Sequence, residues 1–172
     1  MFDNCGIDDT ELSILLAGLS ASNHFSNFVY KNNVFHEQGL ASLKPILIKP
    51  DPGHLQQLRL VNCVTHPIVI NDMLSYMIEQ KVKLRALALV KMQIDKTSLE
   101  LVASLLEKSE YLEDLDLSWN NLLANDFNIL FTVLSKNRTL RCLNLSCNTI
   151  IDKADQNNEI DFKFDSLLEE YI

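Results

Sequence analysis

The sequence predicts an α/β fold: a solenoid shaped as a partial horseshoe, with a parallel sheet on its concave side and helices on its convex side. Three observations predict it. The segment Leu112-Glu113-Asp114-Leu115-Asp116-Leu117-Ser118-Trp119-Asn120 has leucine at its first, fourth and sixth positions and asparagine at its ninth, and Leu140 to Asn148 repeats this pattern one period later. The period is about 28 residues. Leu84, Leu87, Leu89 and Met92 hold the same register one period upstream, Leu55, Leu58, Leu60 and Cys63 two periods upstream, and Phe25, Phe28, Tyr30 and Asn33 give a weaker copy before those. Between these pieces, apolar residues recur at helical spacing behind capping residues.

Taken in order, a first helix runs from Asp9 to Ala21, with Leu12, Leu15, Leu16 and Leu19 on one face. A second begins near His36 and is stopped by the Pro45, Pro50, Pro52-Gly53 stretch. Asn71 or Asp72 opens a third ahead of Met73, Leu74, Met77 and Ile78. Asp95 or Thr97 opens a fourth ahead of Leu99, Val102, Leu105 and Leu106, and Asn125 or Asp126 a fifth ahead of Ile129, Leu130, Val133 and Leu134. The chain divides into an N-terminal helix and cap (1–24), five strand units (25–151) and an acidic segment (152–172) that breaks the period. That last segment holds seven acids against two bases. Ile160, Phe164, Leu167, Leu168 and Tyr171 share a helical face, while Ile160, Phe162 and Phe164 also alternate like a strand, so it reads as a cap over the last unit or a peptide docking on another subunit.

In each unit the first, fourth and sixth positions point into a core that no single unit can close, so neighbours must stack. Strands repeat every ~4.8 Å and packed helices every ~9 Å, so the slab curves with its sheet inside. The ninth position turns the chain out of the strand, where an asparagine can satisfy backbone groups buried by the turn. Asn33, Asn120 and Asn148 fit; Cys63 is a weak donor, and Met92 cannot donate, which makes its junction the weakest rung. Leu115 and Leu143 are both expected to be core residues.

The L-x-x-L-x-L-x-x-N pattern resembles the leucine-rich repeat family, and a period of this length with a helix in every unit is similar to its ribonuclease-inhibitor-like subfamily, over Ile7 to Asp152. Members of that kind serve as inhibitors, immune-sensor arms, actin-end binders and axonemal subunits. The resemblance implies a non-enzymatic protein-binding module, a scaffold subunit of a larger intracellular assembly whose partners are other proteins. Activators of the Ran GTPase also resemble this chain, which makes a GTPase regulator the alternative, with Arg59 cast as a stabiliser of phosphoryl-transfer charge. Those activators carry about twice as many repeats by the period count, and their signature arginine loop matches no position here.

Composition narrows the function classes. With 47% hydrophobic and 22% charged residues the chain has the balance of a globular domain. A net charge of −8 disfavours nucleic acid and anionic membranes. Gly6, Gly18, Gly39 and Gly53 are too scattered to build a phosphate cradle. Met1 to Gly6 lacks a basic leader, and the apolar run Ile14 to Leu19 is too short to span a bilayer, so no membrane insertion is expected. Cys5, Cys63, Cys142 and Cys147 are too sparse for a disulfide scaffold and fit a cytoplasmic setting, and the family resemblance implies the cytoskeleton or cilium as candidate sites. The sequons at Asn137 and Asn144 would then go unused.

Alternation places the third, fifth and seventh positions on the open face of the sheet. Its middle, Ala86, Ala88 and Val90, is small and apolar; Lys31 and Arg59 lie towards one edge, Asp114 and Asp116 towards the other. The candidate partner-binding residues are Gln57, Arg59, Asp114, Asp116, Trp119 and Asn144. For Trp119 the competing reading is padding over the neighbouring unit, and for the two aspartates that of ordinary solvated strand residues facing Arg141 or Arg85. Cys63-Val64-Thr65-His66 offers half a zinc site with no second half, so no metal and no cofactor is expected. The histidines at 24, 36, 54 and 66 fall in turns and helix starts without converging, and no hydrolase or metalloprotease motif occurs, so no catalytic residue is assigned.

Overall fold

The computed structural model describes residues 1–21, 25–49 and 55–148. Strand β1 (Phe2–Asp3) leads to helix α1 (Asp9–Ser20); then come β2 (Asn27–Lys31) and α2 (Glu37–Leu47), β3 (Gln57–Val61) and α3 (Pro67–Glu79), β4 (Ala86–Val90) and α4 (Lys96–Lys108), β5 (Asp114–Asp116) and α5 (Ala124–Leu134), and finally β6 (Cys142–Asn144). The six strands form one parallel sheet in chain order. Each helix packs on the next one along the chain. The fold is therefore α/β, with strand and helix alternating throughout.

Register follows the sequence period. Phe28 pairs with Leu58, Leu58 with Leu87, Leu87 with Leu115 and Leu115 with Leu143, so the fourth positions stand side by side on adjacent rungs. These residues and the sixth positions Tyr30, Leu60, Leu89 and Leu117 join Leu12, Leu43, Leu74, Leu99 and Leu130 of the helices in one apolar cluster. The helices thus cover one face of the sheet. Intervening strand residues such as Arg59 and Asp114 point the other way and are exposed.

The turn at the ninth position is held by an asparagine ladder. Asn120 Oδ1 accepts from the N–H groups of Met92 (2.8 Å) and Ile94 (3.4 Å), while its Nδ2 donates to the carbonyls of Leu89 (2.6 Å) and Leu117 (2.9 Å). Asn148 repeats this one unit later, accepting from Asn120 and Leu122 and donating to Leu117 and Leu145. Asn33 accepts from Cys5 and Ile7. Cys63 keeps the donor half, its thiol reaching the Tyr30 carbonyl at 3.3 Å. The Met92 N–H is taken by Asn120 of the next rung, whereas Met92 itself has no amide to offer the Cys63 turn before it.

Four expectations need correction. Among the described residues the sheet has six strands, not five. Phe2 and Cys5 stand one period before Tyr30 and Asn33, at the sixth and ninth positions of the pattern, and Phe2 pairs with Tyr30. Pro45 does not stop α2 but lies inside it, exposed and close to its end, where the missing donor removes one bond from the last turn. Helix α3 starts at Pro67, ahead of Asn71 and Asp72, because proline at the first helical position needs no N–H partner and comes with a helical φ. Helix α5 starts at Ala124 with Asp126 inside it, whose Oδ2 accepts from Leu123 N at 2.8 Å. The Pro50 and Pro52-Gly53 stretch, His24, His54, the end of the 25–151 unit array from 149 onward and the acidic segment 152–172 lie outside the described residues.

Candidate functional site

The open face of the sheet is built in rows by the strand register. One row runs Arg59, Ala88, Asp116, Asn144 and the next Gln57, Ala86, Asp114, Cys142. The two alanines set the shape. Their side chains end at Cβ between rungs that carry longer ones, so they lie at the bottom of a depression of about 530 Å³, 5% and 3% exposed although no helix among the described residues covers this face. Arg59 stands on one side, Asp114 and Asp116 on the other, and Arg141, Cys142 and Asn144 complete the far wall.

Across the alanine rung, Arg59 and Asp116 are two strand spacings apart, about 10 Å. Among the described residues none of Arg59, Arg141, Asp114 or Asp116 forms an ion pair. Asp116 is held by a local bond, its Oδ1 accepting from Ser118 N (3.0 Å) and Ser118 Oγ (2.6 Å), and Asn144 makes the same contact with Ser146. Ser118, assigned by alternation to the open face, is buried by this contact. The Asp114 carboxylate beside the Cys142 thiol raises its pKa from the ordinary thiol value.

Trp119 lies just past β5 and is 57% exposed. Its φ is +63°, in the left-handed region that bulky residues avoid. The eighth position is left-handed in every unit: Asn4, Asn32 and Asn62 suit it, whereas Lys91, Trp119 and Cys147 do not. Gln57 is half-buried on β3 and stays outside the depression. Of the six candidate residues, the depression therefore gathers Arg59, Asp114, Asp116 and Asn144, and Trp119 borders β5.

Sequence reasoning missed two arrangements. His36 and His66, which cap α2 and α3, do converge: their rings stack with centroids 5.3 Å apart at 20°, which corrects the expectation that the histidines stay separate. The His36 Nδ1 and Thr65 Oγ1 atoms are buried without a hydrogen-bond partner among the described residues. Among the same residues no three His, Cys, Asp or Glu side chains gather to hold a metal, and no helix is long and apolar enough to cross a membrane. The signal for the histidine stack lies in the spacing of the two residues, which is close to the repeat length itself. The second arrangement is a lysine-rimmed pocket at the helix ends, taken up below. Comparison with protein-family models and with curated proteins returns no match.

Proposed function

We propose that this chain is a leucine-rich-repeat solenoid of the ribonuclease-inhibitor-like kind, acting as a non-enzymatic protein-binding module and a scaffold subunit of a larger assembly. The repeat register and the asparagine ladder support the solenoid reading. The observation that carries the binding reading is the open face: opposite charges held apart over an alanine floor, beside an exposed tryptophan kept in unfavourable backbone. An exposed tryptophan beside charged residues is the kind of side chain that anchors a protein interface. Unpaired charges on a sheet give a partner both steering and register at little desolvation cost.

Site-directed photo-crosslinking tests it. A photoreactive residue at position 57, beside the depression, should trap discrete partners in native extract, whereas one at exposed Glu100 of α4 should not. Equal labelling from both positions would contradict the proposal.

A further inference from the structure

A pocket of about 260 Å³ opens at the C-terminal ends of α3 and α4, in the helix layer and away from the open face. Met77, Val82 and Leu105 line it from the core, and Lys81, Lys83 and Lys108 stand around it. In the following unit Asn137 ties the loop to α4, its Nδ2 donating to the Leu106 carbonyl at 2.7 Å. One period earlier the same place is taken by Ser109, whose Oγ accepts only from its own loop, from Tyr111 N and Leu112 N. The gap between α3 and α4 stays open.

Its charge runs against that of the molecule. Three ammonium groups face one carboxylate, Glu110, in a chain of net charge −8, and none of the three lysines has an ion-pair partner among the described residues. Lys83 Nζ lies over the Tyr111 ring, 5.5 Å from its centroid, within the range of a cation–π contact. Lys81 sits at φ +51°, a position that glycine or asparagine would take without strain. Helix C-termini attract cations, which accounts for a lysine at each end but not for an apolar hollow between them.

We propose that this pocket receives the acidic segment 152–172 of the same chain. That segment has seven acids against two bases and carries Ile160, Phe162, Phe164, Leu167, Leu168 and Tyr171, so it offers both the charge and the apolar side chains the pocket lacks. It can reach. From Asn148 to the pocket is two rungs, one layer and one strand length, about 25 to 30 Å, and the chain from there to Ile160 spans up to about 40 Å. The docked segment would place its acids over the lysines and cover the α3–α4 junction, leaving the open face free.

Zero-length carbodiimide coupling of the full chain, read on the monomer by peptide mapping, tests this. Carboxylates of 152–172 should couple to Lys81, Lys83 or Lys108 ahead of exposed lysines elsewhere such as Lys91 and Lys96. The Lys44–Asp72 pair, 2.9 Å apart, is the internal positive control. A Lys81→Glu, Lys83→Glu, Lys108→Glu variant, altered only at exposed positions, should lose its C-terminal residues to carboxypeptidase several-fold faster than the parent. If the control link forms while the segment couples to all lysines alike, only between molecules, or not at all, or if trimming rates are equal, the proposal is overturned.

Discussion

Asn120 shows how much a single side chain carries in this fold. It is 3% exposed, and three consecutive units meet at it: its side-chain amide accepts from Met92 N and donates to the Leu89 carbonyl, while its backbone N–H donates to Asn148 Oδ1. Asn120→Ala would strand a buried N–H and a buried carbonyl, and should cost about 2 to 4 kcal/mol in urea unfolding. Trp119 behaves in the opposite way. Trp119→Asn relieves a left-handed backbone and uncovers little, so stability should hold or rise by about 0.5 to 1 kcal/mol. Cys63 gives a pH dependence: burial pushes its thiol up to about 11, against 9.0 for a free thiol. Because the folded form holds its proton more tightly, this contribution is intact below pH 9 and is lost as pH rises towards 11. Denaturation midpoints should fall across that window, and by less in Cys63→Ala. A flat profile in the parent would show the thiol to be accessible.

At the scale of elements, helix α2 depends on a residue far away in sequence. It has no cap from its own His36 side chain; instead the Asp9 carboxylate of α1 accepts from His36 N (2.7 Å) and Gly39 N (2.9 Å). Gly39 permits that approach, since a Cβ there would lie 2.9 Å from both Asp9 Oδ1 and Leu12 Cδ2. Gly39→Ala should therefore destabilise by about 1 to 3 kcal/mol despite alanine's better helix propensity, and Asp9→Ala by about 1 to 2 kcal/mol, both measurable by thermal unfolding. This contact marks the boundary of what the sequence reveals. Period and alternation fix which leucines face inward, because that depends only on the pleat of a strand and the length of the repeat. The Asp9 cap, the histidine stack and the lysine pocket depend on how neighbouring units pack, which no local pattern encodes. Strand β1 was within reach through Phe2 and Cys5, but so short a run cannot show alternation. At the site, alternation gave the row of Arg59, Ala88 and Asp116; that the aspartate bonds Ser118 instead of an arginine became visible only with the side chains placed.

Across the whole molecule, stability passes from rung to rung. Leu115 is buried between neighbours on both sides, whereas Leu143, its partner on β6, is half-buried, as are Leu140, Leu145 and Val133. The expectation of equal core roles thus needs revision. Leu115→Ala should cost about 2 to 5 kcal/mol and Leu143→Ala clearly less. The charge pattern of the open face also belongs to this scale, because Arg59, Ala88 and Asp116 come from three different units and meet only through stacking. Asp116→Asn isolates the charge: Asn144 already makes the same contacts to Ser146, so the fold should be unaffected. The most direct measurement is the dissociation constant, by titration calorimetry, of a partner trapped through position 57, for the parent and for Asp116→Asn. Weakening of about tenfold or more, about 1.4 kcal/mol, with an unchanged melting temperature is the expected result. Equal affinity of the two proteins would contradict the open face as the binding surface.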